Sequence, residues 1–315
     1  MSQVLNAVEA FLGHLSAIAW SSLALALACH VAKLFARTRA WRGIIAAAYP
    51  GTRVRSRTVL GAYLAGAGVN ALVPARGGDL LKLYLVKHRV EGATYPTLGA
   101  TLLLEAVFDA VVATLLLLWA LQQGVFPSLD VLPDLPGVDW GYLFRHPELA
   151  AALGVFALVA AFLLGVWAAP RVSAFRTRVR QGFAVLADPW RYLRGVVAWQ
   201  ALDWMLRIAT LLLFLDAFGI GADLRDAFLV QAAESLSTVL PLTPGGIGTE
   251  QALLVYVLRG EASTSALLSF SVGMKISLIV VNVALGMAAL ALMLRTLRFR
   301  RLLERERQAV RVSES

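Results

Sequence analysis

The chain has a single cysteine, Cys29, so it can form neither an internal disulfide nor a cysteine-based metal site. Cys29 falls inside an apolar run, where a small buried thiol is the ordinary role. Histidine is scarce as well. His14, His30, His88 and His146 show no metal-binding spacing, and neither a metal nor an organic cofactor is expected. No glycine-rich loop ends in Lys-Ser/Thr, which argues against an ATP-driven pump, and no Gly-x-Ser-x-Gly elbow marks a serine nucleophile. The expectation is a protein that is not an enzyme. Charge is thin too, at 16% of residues. Before the first apolar run there is Glu9 and no Lys or Arg, so the basic start of a cleaved signal peptide is missing and the first span is expected to be retained.

What the chain has in abundance is apolar sequence: 59% of its 315 residues are hydrophobic, with mean hydropathy +0.71. A soluble core cannot absorb that much, and the composition points to an all-helical polytopic membrane protein. Runs near 11–33, 97–121, 148–169, 195–218 and 270–294 are each long enough to cross a hydrocarbon layer of roughly 30 Å. Five full spans are expected.

The net charge of +9 is not a nucleic-acid signal, because the basic residues lie in short segments beside apolar runs. Segments 33–57 and 170–194 hold seven and six Lys/Arg and the tail 295–315 holds seven, whereas 122–148 holds one against four acids. The first three are expected on the cytoplasmic side, which places the N-terminus outside and the C-terminus inside a plasma (inner) membrane. Arginine beside the spans also attracts anionic headgroups. The Arg-rich segment 171–192 reads as an amphipathic stretch along the inner interface, and the proline-rich 122–147 as an outer loop.

Two proline-glycine breaks interrupt apolar stretches too short to span. Thr58–Val73 is 16 residues, about 24 Å as a helix, and stops at Pro74 before Arg76-Gly77-Gly78-Asp79. Both of its flanks score as inside, so residues 58–86 fit a re-entrant hairpin. Ala227–Leu240 likewise breaks at Pro241 and Pro244-Gly245-Gly246 and returns as Ile247–Leu258, a second hairpin over 227–258. Span–hairpin–span then occurs twice with opposite orientation, in halves 10–121 and 195–295 joined by the span 148–169 and followed by a basic tail, 296–315, in one integral membrane domain. That is an inverted-topology repeat.

Irregular backbone at membrane depth is tolerated only where it is packed in protein or lines a cavity, so the breaks mark a candidate polar site. Helix N-termini after them suit an anion, and Arg76 and Lys82 add full charges. Solvent-facing loop charges are the alternative. Asp79 and Glu250 follow the two glycine pairs, as helix caps or as proton or amine partners. Glu105 and Asp109, at i,i+4 in an apolar span, must face the interior, with Arg76, Lys82 and Lys275 as candidate partners. Asp203 and Arg207, also i,i+4, read mainly as a structural pair. Glu234, with Ser235, Ser237 and Thr238 nearby, is placed to line a cavity, and Lys275 is a candidate to neutralise it.

"NALVPARGGDLLKLYLV" at Asn70–Val86 resembles the Asn, Pro-x-Arg-x-Gly-Asp/Glu pattern of the flippase-like membrane region of lysylphosphatidylglycerol synthetases. "PLTPGGIGTEQALLVYVL" at Pro241–Leu258 is similar to that family's Thr-Pro-Gly-Gly-x-Gly signature ending in Glu. The resemblance extends over about residues 10–295. Glu105 and Asp109 match its Glu-Arg-x-x-Asp run, but Ala106 stands where Arg is usual. It implies an ATP-independent flippase or scramblase moving an anionic phospholipid or polyprenyl-linked headgroup between leaflets, with no nucleic-acid partner and with homo-oligomerisation left open. The matching positions are Asn70, Arg76, Asp79, Glu105, Asp109, Thr243, Gly245, Gly246 and Glu250, and the reading of the breaks and their surroundings adds Gly77, Gly78, Lys82, Glu234, Pro244 and Gly248 to the expected site. With no synthetase domain in this sequence, the chain is expected to be the translocating part alone. A proton-coupled carrier of small polar solutes and a non-transporting assembly factor are the alternatives.

Overall fold

The computed structural model describes residues 18–73, 77–124, 173–221, 223–239 and 248–313. Among them every regular element is helical, apart from one isolated bridge between Arg259 and Ala262.

Helix α1 spans Trp20–Ala48. No Pro or Gly interrupts it before Gly43, and Pro50 ends it, because the residue before a proline is pushed out of the helical region. The sequence pattern places a loop from residue 33 onward; instead the helix continues for fifteen more residues. His30, Leu34, Thr38, Trp41 and Ile45 keep one buried face turned inward through this stretch, and burying it outweighs the local density of charge. Lys33 and Arg37, which sequence counts as loop charges, therefore belong to α1.

Helices α2 (Ser56–Leu72) and α3 (Gly77–Lys87) pack against each other as two arms. Their approach demands glycine: a Cβ on Gly78 would lie 1.9 Å from the Gly66 carbonyl oxygen. The second arm of contact for α2 is the last helix, where a Cβ on Gly68 would lie 2.8 Å from the Cα of Gly286.

Helix α4 (Tyr95–Gln122) starts at Thr94, whose hydroxyl accepts the Thr97 N–H, with Pro96 in its first turn. Helix α5 (Ser173–Gly182) is the regular part of the Arg-rich segment; Arg176, Arg178 and Arg180 are exposed while Gly182 abuts the Thr97 carbonyl of α4. Helix α6 (Pro189–Ala217) contains a π turn at Leu193–Val197, where Gly195 meets Gly43 of α1. Helices α7 (Leu224–Val239), α8 (Thr249–Val257) and α9 (Thr264–Ser313) follow.

Three of these are long and apolar enough to cross a membrane: α4, α6 and Thr264–Leu294 of α9, with mean hydropathy of 2.2, 1.4 and 2.4. They coincide with the expected spans 97–121, 195–218 and 270–294. Val107, Val111 and Leu115 of α4 and Ile276, Val280 and Met287 of α9 turn outward, as hydrocarbon-facing residues do. The expected span 148–169 and nearly all of the linker 122–147 lie outside the described residues.

The described residues form three apolar cores, the smallest of them, around Ile44, Leu104 and Val196, between α1, α4 and α6. One, around Trp41, Ile45, Tyr63, Val86 and Leu98, joins α1–α4 to Met293 of α9. Another, around Phe214, Val230, Leu254 and Phe270, joins α6–α9. Helices of the two groups then meet over a polar cavity.

Candidate functional site

The cavity has a volume of about 490 Å3, and α1, α2, α3, α4, α6 and α7 all contribute to its wall. A continuous polar lining between apolar helices is costly unless its charges are paired or wetted, so its pairing pattern is informative.

At one end is the first break. Asn70, in the last turn of α2, accepts the Gly78 N–H on Oδ1 at 2.7 Å and donates from Nδ2 to Asp79 Oδ1 at 3.1 Å. One side chain thus satisfies an amide that the start of α3 leaves open and orients the acid that follows it. Asp79 also pairs with Lys82 one turn later, at 2.8 Å. The Lys82 stem runs along Gly66, where a Cβ would come within 2.3 Å of Lys82 Cγ. Its ammonium lies 4.3 Å from the Tyr63 ring centroid, a cation–π contact that holds a buried lysine toward the cavity.

The centre is organised by Arg37. Its Nε donates to Glu105 at 2.6 Å, Nη2 donates to Asp109, and Nη1 reaches Asp203 at 3.4 Å. One guanidinium fork therefore joins α1, α4 and α6. Tyr63 donates its hydroxyl to the same Glu105 oxygen at 3.1 Å, and Trp204 donates its indole N–H to Asp109 Oδ1 at 3.1 Å. Arg207 lies 3.6 Å from Asp203 on the same helix and stacks on Trp204, with 4.5 Å to the ring centroid. The candidate partners Lys82 and Lys275 are not the groups that hold Glu105 and Asp109; Arg37 is. The helical continuation of α1 brings it there. Ala106 lies on the cavity wall, and a guanidinium from another helix bonds both Glu105 and Asp109.

At the far end, Gln231, Glu234 and Ser235 of α7 reach the cavity. Glu234 interacts electrostatically with Glu250, Lys275, Arg207 and Lys33, which links the cavity to the second break. There Gly248 takes φ 90, a left-handed value suited to glycine, and its N–H donates to Gln251 Oε1 at 2.7 Å. Glu250, in the first turn of α8, accepts from Lys275 of α9 at 2.5 Å. Lys275 therefore meets Glu250 directly and also acts electrostatically on Glu234, for which the sequence pattern offered it.

Of the residues expected from sequence, Asn70, Asp79, Lys82, Glu105, Asp109 and Glu234 line one cavity. Gly77 and Gly78 begin α3 beside it, and Gly248 and Glu250 stand at the start of α8. Arg76, Thr243, Pro244, Gly245 and Gly246 lie outside the described residues. Sequence missed Arg37, Tyr63 and Trp204 and ranked Arg207 as structural. The i,i+4 spacing of Lys33 and Arg37 beside buried Leu34 and Trp41 was the available signal.

The family model for the lysylphosphatidylglycerol synthase transmembrane region matches residues 5–286. The chain belongs to that family. This lysylphosphatidylglycerol synthase transmembrane-region protein is also 25% identical, over 199 residues, to the UPF0104 membrane protein MJ1078 of Methanocaldococcus jannaschii, covering 61% of this chain and 79% of the relative. No solved structure matches. Family membership and the three long apolar helices together make this an integral membrane protein.

Proposed function

We propose that this protein moves a phospholipid or lipid-linked headgroup between leaflets without ATP and without making or breaking a covalent bond. The observation that carries this reading is the charge-lined cavity, walled by helices from both halves of a family membrane domain. A cavity of about 490 Å3 accommodates a headgroup, while the acyl chains stay in the hydrocarbon. Arg76 and the helix N-termini after the breaks are proposed to add further hold on an anionic group.

The proposed architecture is five spans and two re-entrant hairpins in an inverted repeat, with the N-terminus outside and the basic tail in the cytoplasm. Helix lengths support it. α2 and α3 have 17 and 11 residues and α7 and α8 have 16 and 9, so all four fall short of the roughly 20 needed to span. Halves 10–121 and 195–295, joined by 148–169, would rock about the fixed cavity. Membrane lipids are the proposed partners.

The test is headgroup-accessibility flux in proteoliposomes with labelled phosphatidylglycerol, an aminoacylated lipid and a polyprenyl-phosphate sugar, each compared with Arg76→Ala and Lys82→Ala. Flux of one class, lost in the variants, is the expected result. Folded protein that moves none of the three sinks the proposal.

A further inference from the structure

We propose that Arg37 is the residue that grips the anion in this cavity and that Asp109 is its resident stand-in: an entering phosphate takes Nη2 of Arg37 from Asp109, and Asp109 takes up one proton. This deepens the lipid-translocation reading and rests on it.

The charge count decides the direction. The described groups in and beside the cavity are the carboxylates Asp79, Glu105, Asp109, Asp203 and Glu234 and the cations Lys33, Arg37, Lys82 and Arg207. Among the described residues, five acids against four bases leave no surplus positive charge for an incoming phosphate. An added anion in such a place is tolerated only if another negative charge is removed, because an unmatched charge at membrane depth costs several kcal/mol. A proton landing on a carboxylate of the cavity wall meets that requirement with groups already in place.

Geometry selects the pair. Lys82 is already engaged with Asp79 and the face of Tyr63, and Arg207 with Asp203 and the face of Trp204. Arg37 alone divides its fork among three carboxylates. Two of these are deep: Glu105 and Asp203 side chains are 5% and 2% exposed, and Glu105 is also held by Tyr63. Asp109 is 24% exposed and lines the cavity, so its arm of the fork is the one an entering anion reaches. Nε can stay on Glu105 while Nη2 changes partner, so the anchor to α4 survives the exchange. The proton comes from the water of the cavity and lands on a carboxylate oxygen of Asp109, whose Oδ1 still accepts from Trp204 Nε1. Charge is conserved: one phosphate charge enters and one carboxylate charge is neutralised.

Every packed element faces this exchange with a charged or titratable group. Lys33 precedes Arg37 on α1, Tyr63 comes from α2, Asp79 and Lys82 from α3, Asp203 and Arg207 from α6, and Glu234 from α7. Among the described residues Asp109 pairs with Arg37, and that is the salt bridge the exchange opens.

The test is calorimetric titration of the whole protein in lipid nanodiscs, using inorganic phosphate and dihexanoyl phosphatidylglycerol as probes in two buffers of different ionisation enthalpy. Binding should take up about one proton per anion and weaken about tenfold per pH unit while Asp109 is ionised in the empty site. Asp109→Asn should bind both probes at least as tightly, taking up about one proton fewer than the wild type and, for the phosphodiester lipid, showing a flat pH profile. Arg37→Gln should lose anion binding. Arg37→Lys, which retains charge but not the fork, should weaken it by about tenfold in the same protein background. Wild-type binding without proton uptake, unchanged proton uptake in Asp109→Asn, unchanged affinity in Arg37→Lys and Arg37→Gln, or no binding of either probe would each overturn the inference. Lipid flux without proton uptake would overturn this inference and leave the translocation reading standing. Phosphate binding with proton uptake but no binding of the short-chain lipid would do the reverse.

Discussion

The two helix breaks carry the same punctuation, glycines followed by an acid, and close in opposite ways. At the first, Asn70, Asp79 and Lys82 of α2 and α3 stitch the two arms together, and all three line the cavity. At the second, Glu250 finds its cation on α9, twenty-five residues later, and acts electrostatically on Glu234 of the cavity wall. The first hairpin thus bonds its acid to a cation on its own second arm, whereas the second is tied to a long apolar helix. Identical local signals specify where the chain turns, but the partner of the acid is a tertiary matter. A break that closes on itself can present its charges to a ligand, and one that borrows a cation from a neighbour is better placed to couple helices.

The largest effect should come from the first break. Gly78→Leu places a side chain where even a Cβ would sit 1.9 Å from the Gly66 carbonyl, and two helix backbones cannot yield to it. A loss of about 3 kcal/mol or more is expected, read as a collapse of thermal stability in nanodiscs. Gly77→Ala, whose Cβ would meet only Val73 at 3.4 Å, is the matched control and should be close to neutral. Equal effects at both positions would mean that the arms are not packed as described.

At the second break the corresponding experiment is removal of the cation. Lys275→Met leaves the 8%-exposed Glu250 carboxylate without its partner; because Lys275 itself is 42% exposed and screened, the expected cost is about 2 kcal/mol rather than the full penalty of a buried pair. Adding Glu250→Gln should recover most of it, and a double-mutant cycle on thermal unfolding measures the coupling. Independent, additive losses would show that the borrowed cation does not hold α8 to α9.

Asn70→Ala removes two hydrogen bonds from the first break and leaves the Gly78 N–H to find another acceptor, for a loss of about 1–2 kcal/mol. The loss should be larger in lipid flux than in stability, since Asp79 and Lys82 lose their alignment at the cavity wall. Stability and flux falling in strict proportion would reduce Asn70 to scaffolding.

Hydropathy made the spans at α4, α6 and α9 legible because membrane crossing is a local property of about twenty residues. The short arms were legible because Pro and Gly act on their own backbone. Glu105 and Asp109 were recognisable as inward-facing from their spacing alone. Arg37 was not, since its three partners are 68, 72 and 166 residues away, and a basic residue near the end of an apolar run serves equally well as a topology marker. The persistence of α1 to Ala48 depended on a buried face completed by other helices, so charge density alone suggested a loop. Ala106 gave a partial hint, because a carboxylate pair without its own arginine needs one from elsewhere.

The smallest expected effect is at Gly248, and it sharpens the contrast between the breaks. At Gly78 the requirement for glycine is space; at Gly248 a Cβ would meet nothing within 4 Å, but φ is 90. Gly248→Ala should therefore cost about 1 kcal/mol through backbone conformation alone. Gly248→Asn should recover part of that loss, because asparagine tolerates left-handed φ better than alanine. Gly78→Asn has no such escape and should be as damaging as any other side chain of its size. Comparing the Ala and Asn variants by thermal unfolding thus separates crowding from conformation. Equal stability of Gly248→Ala and Gly248→Asn, or a loss at Gly248 that grows with side-chain volume, would place crowding rather than conformation at the second break as well.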